Sequence, residues 1–125
     1  MNIEQIRTYC LNKKGTSESF PFDDSTLVFK VLHKMFVLAP LRLWDKGEAT
    51  ITLKCDPDYT IELRNTYNSI YAGPYVSNTH WNTISIYKGE LQPQFIKVLI
   101  DHSYNMVVKG MTKKMREQLH DLPDL

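Results

Sequence analysis

A chain of 125 residues, 42% hydrophobic and 23% charged, has apolar surface for one modest core and too little for two. No apolar run approaches the roughly 20 residues that span a bilayer, which excludes helical membrane insertion. A net charge of +1 is by itself too small to call for a nucleic-acid partner, although residues 65–116 carry six Lys or Arg against Glu90 and Asp101 alone, a local surplus of four.

The opening residues lack the apolar stretch of a secretory signal, so a cytoplasmic protein is expected. Asn2 can cap a first helix, with Gln5 completing a capping box and Ile3, Ile6, Cys10 and Leu11 forming the apolar stripe; Gly15 ends it. From Gly15 to Asp24 the chain is polar apart from Phe20 and Phe22, whose alternation around Pro21 predicts an extended segment anchoring a loop. Residues 26–32 and 35–39, rich in Val, Phe and Leu, predict a hairpin turning at His33-Lys34. After a turn at Asp45–Glu48, Ala49–Cys55 alternates as a half-buried third strand should.

Asp56 followed by Pro57 predicts a capped helix over about 57–66, with Tyr59, Ile61 and Leu63 available for packing. Residues 68–78 read as a loop broken at Gly73-Pro74, and Asn82–Tyr87 as a fourth strand closed by Gly89. Pro93 opens a helix in which Phe95, Ile96, Leu99, Ile100, Ser103 and Tyr104 recur at helical spacing as far as Val108. Thr112 caps a last short helix over about 113–120, and 121–125 is expected to form a C-terminal tail. The predicted fold is α+β, a single domain over residues 1–120. Its antiparallel sheet of about four strands packs against helices on one face, in the order α-β-β-β-α-β-α-α.

The motifs of common chemistry are missing from the sequence. His33, His80, His102 and His120 have no metal-ligand spacing, and Cys10 and Cys55 stand 45 positions apart, as buried free thiols do. There is no nucleophile elbow, Asp23-Asp24 reads as a solvated turn, and the five glycines are too dispersed to cradle a phosphate. No catalytic residue, metal or cofactor is therefore expected.

Two clusters are left as candidate binding residues. Trp81 can stack on a base while His80, Asn78 and Asn82 hydrogen-bond phosphates or base edges; alternatively Trp81 fills the space between its strand and the helix at 95–108, with His80 and Asn82 bonding to the preceding loop. Lys109, Lys113, Lys114 and Arg116 form a basic cluster. Its lysines at the start of a helix suit a phosphate, and a solvated face accounts for them as well. Tyr67, Tyr71 and Tyr75 recur in one loop region and with Trp81 can line a shallow groove for a protein partner.

These residues also carry a resemblance. Tyr9-Cys10 with Lys13 and Gly15, Phe20-Pro21-Phe22-Asp23, Ala49–Lys54 before Asp56-Pro57, His80-Trp81-Asn82-Thr83-Ile84, Leu99–Val107 and Thr112-Lys113-Lys114 together resemble the MmcQ/YjbR family (DUF419) of small bacterial proteins, to which DNA binding is commonly ascribed. The resemblance spans about residues 2–119. It implies a compact domain similar to the frataxin/CyaY arrangement and to double-wing DNA-binding domains. The first helix carries Glu4 as its only acid, so the iron-binding acidic ridge of frataxins is not implied.

The expected function is thus a non-enzymatic DNA-binding protein. Lys109, Lys113, Lys114 and Arg116 would hold phosphates and His80, Trp81 and Asn82 would touch base or sugar, weakly and with strong salt dependence. The alternative is a protein-interaction module using the tyrosine groove. A monomer is the default.

Overall fold

The computed structural model describes residues 1–124. Helix α1 (Ile3–Leu11) is followed by strands β1 (Thr16–Ser19), β2 (Thr26–Val31) and β3 (Lys34–Pro40), short helix α2 (Leu41–Asp45), strand β4 (Thr50–Lys54), helix α3 (Pro57–Thr66), strands β5 (Ile70–Tyr71) and β6 (Trp81–Ser85), a 3-10 turn (Ile86–Lys88), and helices α4 (Pro93–Lys109) and α5 (Lys113–Asp121). The strands form one antiparallel sheet in the order β1-β2-β3-β4-β6-β5. None of the described helices is long and apolar enough to cross a membrane.

The caps fall where the side chains dictate. Asn2 and Gln5 exchange the two hydrogen bonds of a capping box. The Asp56 carboxylate accepts from the backbone N–H groups of Asp58 and Tyr59, and Pro57 takes the first turn where no donor is needed. The Thr112 hydroxyl accepts from Met115 N–H. In the β2–β3 hairpin the two linking residues are Leu32 and His33, both at positive φ, which matches the twist of the flanking strands. The turn therefore lies one residue earlier than His33-Lys34.

The core lies between the sheet and the helices. Leu27, Phe29, Val37, Ile51, Leu53 and Ile84 point from the strands toward Ile6 and Cys10 of α1, Leu63 of α3 and Ile96, Leu99 and Ile100 of α4. A bulge at Phe36 lets Phe36 and Val37 both face the helices, since Phe29 pairs with Val37 and Lys30 with Met35. Phe36 meets the Tyr104 ring edge-on with centroids 5.5 Å apart, and its carbonyl accepts from the buried Ser103 hydroxyl at 2.6 Å. Strand period 2 then puts Met35, Leu38, Thr52, Thr83 and Trp81 on the opposite face.

Several expectations need correction. Among the described residues the sheet has six strands, not four. The polar Thr16–Ser19 segment is an edge strand paired with β2 alone, and Ile70–Tyr71, expected in a loop, pairs with Ile84 and Thr83. The strand expected over 82–87 runs from Trp81 to Ser85 and gives way to the 3-10 turn. Phe20 and Phe22 anchor nothing: they are 47% and 62% exposed. Ile61 also faces outward, because Tyr59 and Leu63, four apart, take the packed face of α3. Short helix α2 was not expected; its Trp44 donates Nε1–H to the Thr50 carbonyl at 3.0 Å. Of the expected tail, Leu122 lies beside Gly15, Lys14 pairs with Asp124 at 3.6 Å, and Leu125 lies outside the described residues.

Candidate functional site

The sheet face turned away from α4 holds a groove of about 570 Å³. Its floor is made by Met35 and Leu38 of β3, Thr50 and Thr52 of β4, Thr83 of β6 and Tyr71 of β5. Phe22, from the loop before β2, and Tyr75, from the loop between β5 and β6, stand on its rim, the Tyr75 ring fully exposed. Two pairs of hydroxyls lie on this face. Thr52 and Thr83 Oγ1 are 2.9 Å apart, and Ser85 Oγ donates to Tyr71 Oη at 3.3 Å. The lining is mainly apolar with a few polar groups, and the volume falls in the range of ligand clefts.

The wall carrying Tyr75 is fastened at both ends. At one end Gly73 is buried directly over Thr83: a Cβ there would lie 3.0 Å from Thr83 Cβ and well inside contact with its hydroxyl, so only glycine fits. At the other end Arg64 of α3 donates Nε–H to Asn82 Oδ1 at 2.7 Å, and its NH2 group donates to the carbonyls of Asn78 and Trp81 at 2.7 and 2.9 Å. Between these anchors Tyr75 is held at φ 68°, a left-handed conformation that disfavours a bulky side chain.

Asp23 is the charged residue lining the groove. Its carboxylate accepts from Ser25 N–H, Thr26 N–H and Thr26 Oγ1, and the backbone bonds from Ser25 and Thr26 hold it below the usual carboxylate range. Lys30 and Lys54 share the sheet face by strand parity without lining the groove.

The predicted site residues are divided among separate places. Trp81 is half-buried, paired with Lys54, and on the same strand parity as Thr83, so it does not fill the space between β6 and α4. His80 beside it is exposed. Asn82 is 3% exposed and held by Arg64 and Thr60, which removes it from any surface contact. Lys109, Lys113, Lys114 and Arg116 are exposed, and among the described residues none of them has an ion-pair partner. Helix α5 is seated by Leu119 against Gly15, near Leu32 of the β2–β3 turn, and two strands, β3 and β4, separate β2 from the β6 strand of Trp81. Of the expected tyrosine groove, Tyr71 and Tyr75 line the observed one. Tyr67 packs in the helix layer against Phe95, with centroids 5.3 Å apart, and Trp81 lies outside the lining.

The remaining polar clusters join helices to the sheet. His102 Nε2 accepts the N–H of Asp56, so its neutral ring carries the proton on Nδ1. Burial pushes its pKa down, with nearby Asp56 opposing. Asp101 on α4 accepts from Tyr9 Oη at 2.6 Å and pairs with Lys13, tying α1 to α4; burial, then the bond to Asp101, pushes the Tyr9 hydroxyl up to about 12. Both cysteines are buried free thiols, each with its pKa raised by burial. Among the described residues there is no group of three or more His, Cys, Asp or Glu placed to hold a metal ion.

This arrangement defines a small α+β domain with helices on one face of its sheet and a groove on the other. The sequence model of the YjbR family matches residues 11–106, and the chain belongs to that family. It is 33% identical over 101 residues to YbdF of Escherichia coli O157:H7, an alignment that covers 80% of this chain and 79% of YbdF. It is 25% identical over 122 residues to YjbR of Escherichia coli K12, covering 98% and 100% of the two chains. The crystal structure of DR2400 from Deinococcus radiodurans, a DUF419 domain, matches with a TM-score of 0.84 at 35% identity, over 98% of this chain and 90% of that one. A Pseudomonas syringae protein, with TM-score 0.69, 24% identity and coverage of 86% and 99%, shares the fold. The family and the α+β class expected from the sequence are both met.

Proposed function

We propose that this YjbR-family protein is a non-catalytic interaction module that holds part of a partner protein in the groove on the open sheet face. One observation carries the reading: an apolar groove flanked by two exposed aromatic rings, Phe22 and Tyr75, one of them kept in a costly backbone conformation. Exposed aromatics around an apolar depression are the composition of a protein-recognition surface. To test it, a photo-crosslinking phenylalanine analogue is placed at position 75 and, as control, at position 117 on α5. Protein adducts specific to position 75 are expected; equal adducts from both positions, or nucleic acid recovered from position 75, would overturn the reading.

A second reading, DNA binding, is favoured by one local feature, the half-buried Trp81 beside Lys54 with exposed His80 next in sequence. In it Trp81 stacks on a base and Lys54 holds a phosphate, in place of the basic cluster on α5. Fluorescence anisotropy with duplex and single-stranded DNA at two salt concentrations tests this reading, and absence of binding up to high micromolar protein removes it.

A further inference from the structure

The Thr52–Thr83 pair at the groove floor has an unspent proton. Two hydroxyls carry two O–H donors, and the 2.9 Å contact between them consumes one. Neither hydroxyl has another hydrogen-bond partner among the described residues. The pair therefore offers one donor to whatever fills the groove. Thr83 is 4% exposed with its hydroxyl beneath Gly73, so it is half-buried Thr52, with Thr83 donating to it, that turns the free O–H toward the groove.

The remaining lining restricts the charge of an occupant. It contains no Lys or Arg, so a carboxylate or phosphate entering it would lose its water and gain no counter-ion. Its single carboxylate, Asp23, already accepts three hydrogen bonds from Ser25 and Thr26, and sits at the loop preceding β2 rather than on the floor. Met35, Leu38, Pro40, Leu43 and Val76 supply the rest of the contact surface and reward apolar groups.

We propose that the groove takes an uncharged, apolar stretch of a partner protein, and that the Thr52–Thr83 pair donates one hydrogen bond to a carbonyl of that stretch. This rests on the reading of the groove as the partner-binding surface. It adds the chemistry of the partner and names Thr52 and Thr83 as the residues that select it.

The test uses two blocked tripeptides, N-acetyl-Leu-Phe-Leu-amide and N-acetyl-Leu-Glu-Leu-amide, titrated into isotope-labelled protein and followed by amide chemical shifts. The uncharged peptide is expected to shift Leu38, Thr52, Tyr71 and Thr83, and the glutamate peptide to bind at least about tenfold more weakly. Thr52→Val, which keeps the shape and removes the free hydroxyl, is expected to weaken the uncharged peptide about 3- to 10-fold. Thr52→Ala serves as the second variant should Thr52→Val lose its folded spectrum. Equal binding of the two peptides in the groove, or affinity unmoved by loss of the hydroxyl, overturns the proposal and leaves the partner-binding reading standing. No shift at the groove with either peptide, while position 75 still crosslinks a protein, also overturns only the proposal. Neither shifts nor crosslinks overturns both.

Discussion

Gly73 lies against Thr83 so closely that no other residue can occupy its place without moving strand or loop. The contact joins the wall of the groove to its floor. Gly73→Ala is expected to destabilise the protein by about 1–3 kcal/mol through overpacking. The double variant Gly73→Ala, Thr83→Ala removes the hydroxyl the new methyl would strike most closely, so a favourable coupling of about 1 kcal/mol is expected from urea denaturation of the four proteins. Strict additivity would show that the two residues do not bear on one another.

Arg64 holds the far end of the same wall with bonds to Asn82, Asn78 and Trp81. Arg64→Ala leaves buried Asn82 without that donor and releases the two carbonyls, at an expected cost of about 1–3 kcal/mol. Hydrogen exchange supplies the local readout. The amides of Trp81 and Cys55, bonded to Ser77 and His80 carbonyls, should exchange faster in the variant, and those of β2 and β3 should not.

His102 gives the pH dependence. Its folded pKa is below the ordinary 6.5, so the unfolded chain binds the proton more tightly. Its contribution is fully present above pH 6.5 and is lost as pH falls through the depressed folded value, where the ring can no longer accept from Asp56 N–H. Urea midpoints measured from pH 7.5 downward should fall more steeply for the wild type than for His102→Gln, whose amide oxygen accepts at any pH. Parallel profiles would deny His102 this role.

The second functional reading separates its cations. Where Trp81 and Lys54 touch duplex DNA, Lys54→Ala should lower the logarithmic salt slope by about 0.9, while Lys113→Ala leaves it unchanged. Anisotropy titrations across salt concentrations measure both. The opposite pattern would move the contact to α5.

The parts of the fold that were legible in the sequence are those set by neighbouring residues. Asn2 with Gln5, Asp56 before Pro57, and Thr112 each satisfy backbone donors within three positions, and the helical stripe from Phe95 to Val108 needs only its own period. Strand β1 was hidden because Thr16–Ser19 is a polar edge that becomes a strand through its partner β2. Strand β5 is two residues long and is defined by its pairing with β6.

The site divides in the same way. Tyr71 and Tyr75 were readable as groove residues, since they lie close together in one loop region. Phe22, Leu38 and Thr52 reach the groove only through the sheet, from segments far apart in sequence, and carry no local signal beyond the alternation that sets Thr52 against Leu53 and Thr83 against Ile84. The polar member of each pair lies on the face away from the helices, where it forms the floor. For Asn82 the internal reading holds over the contact reading, but its partner is Arg64, eighteen positions earlier, which no local pattern points to.

The extra residue in β3 decides how the two faces of the sheet are joined. Remove Phe36, and Val37 still faces Phe29 and Met35 still faces Lys30, so the ladder closes regularly. The carbonyl that receives Ser103 and the ring that meets Tyr104 would go with it. A chain shortened there would keep its pleat and give up two of the contacts that seat helix α4, so the irregularity belongs to the joinery between layers and is no flaw in the strand.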